Sequence, residues 1–171
     1  LDPSALGERF TGWAHGSVVN IVEEIRIKGD DKWRIMDRLK PFITNSMIQI
    51  EEKGRDHRTV PNFTNYLLLT NYKDALPITN DDRRFCVMYG RIQNEQELFD
   101  FFGGREQTAD YFENLFAESE KHAGVIKGFL LNYKISDEFK ASGRAPDTSS
   151  RQAMIQATIS PEQCSVEDLI N

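Results

Sequence analysis

The sequence predicts an α/β fold, with a parallel sheet and flanking helices over residues 1–92 and a helical portion over residues 93–171. Three observations predict it. Apolar runs of strand length, SVVNIVEE, MIQIEE and YLLLTN, each end on polar residues, as strands do when their carboxyl ends open onto a ligand or solvent. Between the first two lies DDKWRIMDRLKP, whose apolar residues recur at helical spacing. Beyond residue 92 the remaining apolar stripes are helical.

The elements follow in order. SVVNIVEEIRI reads as a strand buried on both faces and central in the sheet, with Val18, Val19, Ile21 and Val22 leading into Glu23 and Glu24. In the helix that follows, the aspartates Asp30 and Asp31 serve as cap, Trp33, Met36 and Leu39 mark the apolar face, and Pro41 is the stop. MIQIEEKGRDHRTVPNF begins as a strand and turns through a basic tip containing Gly54, so a hairpin or long loop projects between residues 51 and 62. Tyr66 to Thr70 supply a third strand and RRFCVMY a fourth, in which Cys86 packs. Asn94 and Glu97 form a capping box and Gly103 ends that helix. Tyr111, Phe112, Leu115 and Phe116, then Val125, Ile126, Phe129 and Leu130, continue at helical spacing, and the Phe-rich stripe reads as core. After SGRAPDTSS comes a last helix, with Ser160-Pro161-Glu162-Gln163 a further helix start.

At 171 residues, with 39% hydrophobic and 28% charged residues and no long apolar run, the chain is in neither the disordered nor the membrane class. Cys86 and Cys164 match no metal spacing, which favours reduced thiols in a cytosolic setting, and no signal peptide opens the chain. The formal net charge is −6, yet residues 26–58 carry nine Lys/Arg against six Asp/Glu, so a nucleic acid would meet that stretch first. His15 and His122 have no partner spacing and read as surface residues.

The chemistry concentrates at strand ends. Two adjacent carboxylates after a buried strand are costly unless water, metal or partners meet them. In nucleotide hydrolysis one such acid holds magnesium through water and the other polarises the attacking water. Glu23 and Glu24 fit those roles, although two solvated glutamates entering a loop would leave the same letters. Asn71 ends another apolar strand, where an amide orients water without adding charge, or simply makes a turn. Arg83 and Arg84 suit phosphoryl charge, because guanidinium is always ionised and forks onto phosphate oxygens. An ion pair with Asp81 or Asp82 is the alternative for either.

In SVVNIVEE as a Walker B strand, YLLLTN as a sensor 1 strand ending on Asn71, and DRRF (82–85) as an arginine-finger region, the chain resembles the superfamily 3 AAA+ helicase domain of phage and plasmid primase-helicases. VIKGFLLNYKISDEF and RAPDTSSRQAM resemble the helical tail of the same phage proteins. The resemblance implies a partial P-loop NTPase-like core, from Walker B to arginine finger, in a ring-forming motor of the bacterial host cytoplasm, expected to be a hexamer, that binds ATP and Mg2+ between subunits. Glu23 would hold Mg2+ through water, Glu24 would act on the attacking water, Asn71 would position it, and Arg83 or Arg84 would reach the neighbour's nucleotide. The tip KGRDHR falls where such proteins carry a DNA-contacting hairpin, so Lys53, Arg55, His57 and Arg58 would track single-stranded or forked DNA. In relatives the basic residue and the histidine are adjacent, whereas here three residues separate Lys53 from His57.

One part is missing. The phosphate loop G-x-x-x-x-G-K-[ST] has its nearest approach at Gly7 to Gly12, where Trp13 stands in place of lysine. With Leu1 in first place, the expectation is a C-terminal fragment whose phosphate loop, and a possible linked primase domain, lie upstream, and which alone hydrolyses ATP poorly. A non-catalytic module for oligomerisation or for docking a replication protein is the second reading. A plain DNA-binding domain is the third, and the net charge disfavours it.

Overall fold

The computed structural model describes residues 1–26, 32–139 and 143–158. Among them are four strands and five α-helices: β1 (Val19–Val22), α1 (Lys32–Thr44), β2 (Met47–Ile50), β3 (Arg58–Pro61), β4 (Asn65–Leu68), α2 (Glu95–Phe102), α3 (Arg105–Lys121), α4 (Ala123–Asn132) and α5 (Ser149–Thr158). The chain divides into two compact units, Leu1–Met88 with the segment from Arg144 onward, and Tyr89–Gly143.

In the first unit, β1 and β4 pair in parallel, with Val19 opposite Asn65 and Val22 opposite Leu68. Parallel neighbours need a crossover. Here it consists of α1 and the antiparallel hairpin β2–β3, in which Ile48 faces Val60 and Ile50 faces Arg58. Ile48 and Ile50 turn inward with Ala14 and Phe42, and Trp13, Val60 and Tyr66 pack against that cluster. The Trp13 ring lies 5.2 Å from Phe42 and 6.3 Å from Tyr66, centroid to centroid. Burial pushes the Tyr66 phenol up to about 12, with the Asn20 side chain opposing in part.

Polar anchors tie these layers together. Asn62 donates its side-chain amide to the carbonyls of Phe42 at 2.7 Å and Asn45 at 2.8 Å, satisfying acceptors that the end of α1 leaves open. Arg38 donates to the carbonyls of Gly7 and Arg9, both at 2.9 Å, and so holds the N-terminal segment on α1. At the hairpin tip, Arg55 N–H meets the Glu52 carbonyl at 3.2 Å, and Gly54 takes the third turn position at φ 75°, a type II pattern that favours glycine.

In the second unit the first half of the expected capping box is present, and its second half falls one residue early. Asn94 accepts from Glu97 N–H at 2.9 Å, while the Glu97 carboxylate reaches back to Gln93 N–H at 2.9 Å. Gly103 and Gly104, at φ 87° and 138°, then return their amides to the Phe99 carbonyl, and α3 starts at once.

Several expectations are corrected. β1 is buried on one face only: Asn20 and Val22 point inward, while Val19 and Ile21 are exposed, because no described element packs over the second face. Pro41 lies inside α1, which runs on to Thr44; a proline removes one amide donor and strains one turn, and the packing of Phe42 outweighs that here. RRFCVMY is not a strand. Phe85 and Val87 are buried in alternation, but no strand lies beside the segment, whose Arg83 and Val87 carbonyls are instead taken by Ala145 N–H and Thr148 Oγ1. Cys86 consequently faces outward. The Phe-rich stripe is not a closed core: Phe102 and Phe112 are half-buried, with the Phe102 ring 4.3 Å from Tyr111, but Phe101 and Phe116 are exposed. Asp30, Asp31, Cys164 and Ser160–Gln163 lie outside the described residues.

Candidate nucleotide site

The carboxyl ends of β1 and β4 open side by side onto a depression of about 730 Å³, lined by Glu23, Glu24, Thr70 and Asn71 together with Asp2 and Leu69. Its floor is set by an irregular ladder. Leu69 N–H donates to the Val22 carbonyl at 2.9 Å, and the Leu69 carbonyl accepts from Ile25 N–H at 2.9 Å. A regular parallel ladder would return that second bond from Glu24. One residue is therefore extra, and it is Glu24, at φ 54°, a left-handed conformation rare outside glycine, asparagine and aspartate. The bulge breaks the alternation of the strand, so both glutamates line the same depression. Neither carboxylate has a hydrogen bond or ion pair with a described residue.

Two further groups stiffen this mouth, and sequence reasoning missed both. Arg26 lies over the Tyr72 ring, 3.8 Å from its centroid, and reaches Asp74 at 3.1 Å, so the exit of β1 is bound to the exit of β4 just beyond Asn71. Asp2 caps a 3-10 turn at Pro3–Gly7, accepting from Ser4 N–H at 2.8 Å, and the Ser4 hydroxyl and amide hold its carboxyl below the usual range. An arginine two residues after a Glu pair was the available signal for the first; for Asp2, its place beside a strand end appears only in three dimensions.

Arg83 and Arg84 sit on another loop of the same unit and do not line the depression. The structure separates them. Asp82 is buried, accepts Arg84 N–H at 2.8 Å and lies 3.5 Å from the Arg84 guanidinium. Arg83 is exposed, and its guanidinium has no partner among the described residues.

At the hairpin tip all four basic residues are exposed, but three are matched by acids. Arg55 and Arg58 share one Glu52 oxygen at 3.1 Å each, and His57 lies 3.6 Å from Glu51. Lys53 has no partner among the described residues. His15 and His122 are exposed, and no group of three or more His, Cys, Asp or Glu among the described residues could hold a metal by themselves. No described helix is long and apolar enough to cross a membrane.

The fold defines a class first: an α/β unit with a small parallel sheet open at its carboxyl end, compatible with part of a nucleotide-binding fold. Among solved structures it is similar to the apo NrS-1 C-terminal region, with a TM-score of 0.70 and 18% identity over 94% of this chain and 36% of that one. A second structure of that region gives 0.62 at 15% identity, and a third 0.57 at 17%. The chain thus spans little more than a third of the length of these neighbours. Residues 1–84 are similar to a family of unknown function, DUF5906, a match that ends on the arginine pair. No curated protein matches the chain.

Proposed function

We propose that the chain is the downstream part of the ATPase core of a phage-type superfamily 3 replicative helicase, which hydrolyses ATP between subunits of a ring, expected to be a hexamer, while moving on single-stranded or forked DNA. The observation that carries the reading is the bulge at Glu24. A left-handed glutamate costs on the order of 1 kcal/mol, and such strain is retained where it aims a side chain. Here it sets two unpaired carboxylates beside an amide at the carboxyl end of a parallel pair, where open α/β sheets bind ligands.

The donor set fits Mg2+, a hard cation that keeps several waters and takes few carboxylates: Glu23 and Glu24 are exposed, and neither is ion-paired with a described residue. Bound with ATP, Mg2+ would neutralise phosphate charge. Glu23 would hold the ion through water. Glu24 would take the proton of the attacking water, and Asn71 would orient that water without adding charge that repels the phosphate. An arginine from the Asp82–Arg84 loop would stabilise transition-state charge on the neighbouring subunit. The hairpin tip would follow the DNA backbone, and a linked primase domain would belong to the longer protein.

ATP hydrolysis with single-stranded DNA tests this, comparing the chain with a polypeptide extended upstream through a phosphate loop. Activity is expected only in the longer polypeptide, and Glu24→Gln there is expected to lower kcat by at least about a hundredfold. An inert longer polypeptide would sink the ATPase reading in favour of a docking or oligomerisation module, for which the exposed apolar faces of β1–β4 and α4 would be the contact surfaces.

A further inference from the structure

Arg151, near the start of α5, is 3% exposed, although arginine is almost never buried without full pairing. Its Nη2 donates to three carbonyls of one loop, Thr79 at 2.9 Å, Asn80 at 2.9 Å and Asp82 at 2.6 Å, and Nη1 meets Asp147 at 3.0 Å. Gln152 and then Arg151 hold the Asp147 carboxyl below its usual range. Three carbonyl dipoles turned toward one point repel one another unless a cation sits there, so the curl of this loop depends on the guanidinium. The same segment takes the neighbouring acceptors: Arg144 donates to the Asn80 carbonyl at 3.1 Å and Ala145 N–H to the Arg83 carbonyl at 2.9 Å.

The held loop is the one that carries the arginine pair, and it leaves the two unequal. Arg84 is tied to buried Asp82, and Arg83 is exposed without a partner among the described residues. We infer that Arg151 is a positioning residue: from α5 it fixes the Thr79–Asp82 backbone so that Arg83, and not Arg84, is the guanidinium presented to a phosphate outside this chain. The inference rests on the proposed ATPase reading for its catalytic consequence, but the holding of the loop can be measured without it.

Trypsin supplies that measurement on the chain as it stands. Cleavage after Arg83 or Arg84 is expected to be at least tenfold faster in Arg151→Met, and about threefold faster in Arg144→Ala, which removes one exposed donor and leaves the buried one. Cleavage within α3 and α4, in the other unit, serves as the control and is expected to stay constant. Equal loop cleavage in wild type and Arg144→Ala, and in Arg151→Met if it folds, would overturn the proposal. In the longer polypeptide, Arg151→Met and Arg83→Ala are each expected to lower kcat at least tenfold with KM for ATP unchanged, and Arg84→Ala less. Active wild type with an unimpaired Arg151→Met would overturn the positioning role alone. An inert wild type would overturn the ATPase reading, and the catalytic role with it, whatever the loop does.

Discussion

At Glu24 the backbone adopts φ 54° and the strand ladder skips a residue. Glycine reaches this conformation without a Cβ clash but loses more freedom on folding, and the two effects oppose each other. The left-handed penalty of about 1–2 kcal/mol exceeds the glycine entropy cost of about 0.5–1 kcal/mol. Glu24→Gly in this chain is therefore expected to raise stability by up to about 1 kcal/mol, read as a higher urea midpoint with unchanged slope, while Glu24→Ala, which keeps the clash, gains nothing. A loss of stability in the glycine variant would mean that the carboxylate is held by an interaction and that the conformation is not strained. The pair Glu23-Glu24 stood out in the sequence as a candidate because two acids after an apolar strand are conspicuous, and the structure brings both to the depression at the strand end. The bulge that turns both to one side was not, since apolar alternation records which residues face inward and not where the ladder gains a residue.

The hairpin shows the same limit for a whole element. The MIQI strand and the Gly54 tip left a hairpin or a long loop open over residues 51–62, and the structure makes it a hairpin, with β2 and β3 an antiparallel pair around that turn. Counting charges gave a basic tip, yet Glu52 lies 3.1 Å from both Arg55 and Arg58, a pairing set by the turn. If the tip meets single-stranded DNA, these arginines must exchange Glu52 for phosphate, and the carboxylate competes with the ligand. Glu52→Gln is expected to tighten binding of a single-stranded oligonucleotide several-fold. It is also expected to steepen the salt dependence by about 0.7 for each further phosphate that the freed arginines neutralise. Fluorescence anisotropy from low to moderate salt would read both, and unchanged affinity and slope would remove the tip from the DNA surface. Residues 83–89 mislead in the opposite direction. Phe85 and Val87 alternate as a strand requires, but alternation reports one-sided burial, and the backbone partners come from the segment before α5, some sixty residues away.

On the scale of the whole molecule, the composition of β1 is that of a strand covered twice, whereas the described chain covers it once. Val19 is 52% exposed, Ile21 45%, Leu67 48% and Leu69 43%. Ile21 and Leu67 are register partners, so these side chains form one continuous apolar strip across the parallel pair. Strips of this kind on a monomer are contact surfaces, and the net charge of −6 is too small to keep copies apart at physiological ionic strength, where screening acts within about 8 Å. The chain is expected to associate with itself in a concentration-dependent way. The double variant Ile21→Thr with Leu67→Thr puts a β-branched side chain suited to strands at both positions and is expected to shift the sedimentation average toward the monomer while leaving the melting temperature within a few degrees, because both positions are already exposed. A monomer in the wild type at all concentrations would mean that the strip is too small to hold a second copy. Association that survives the double variant would move the contact to the exposed apolar residues of α4, where Phe129, Leu130 and Leu131 are each more than 60% exposed, and substitution there would then have to abolish it.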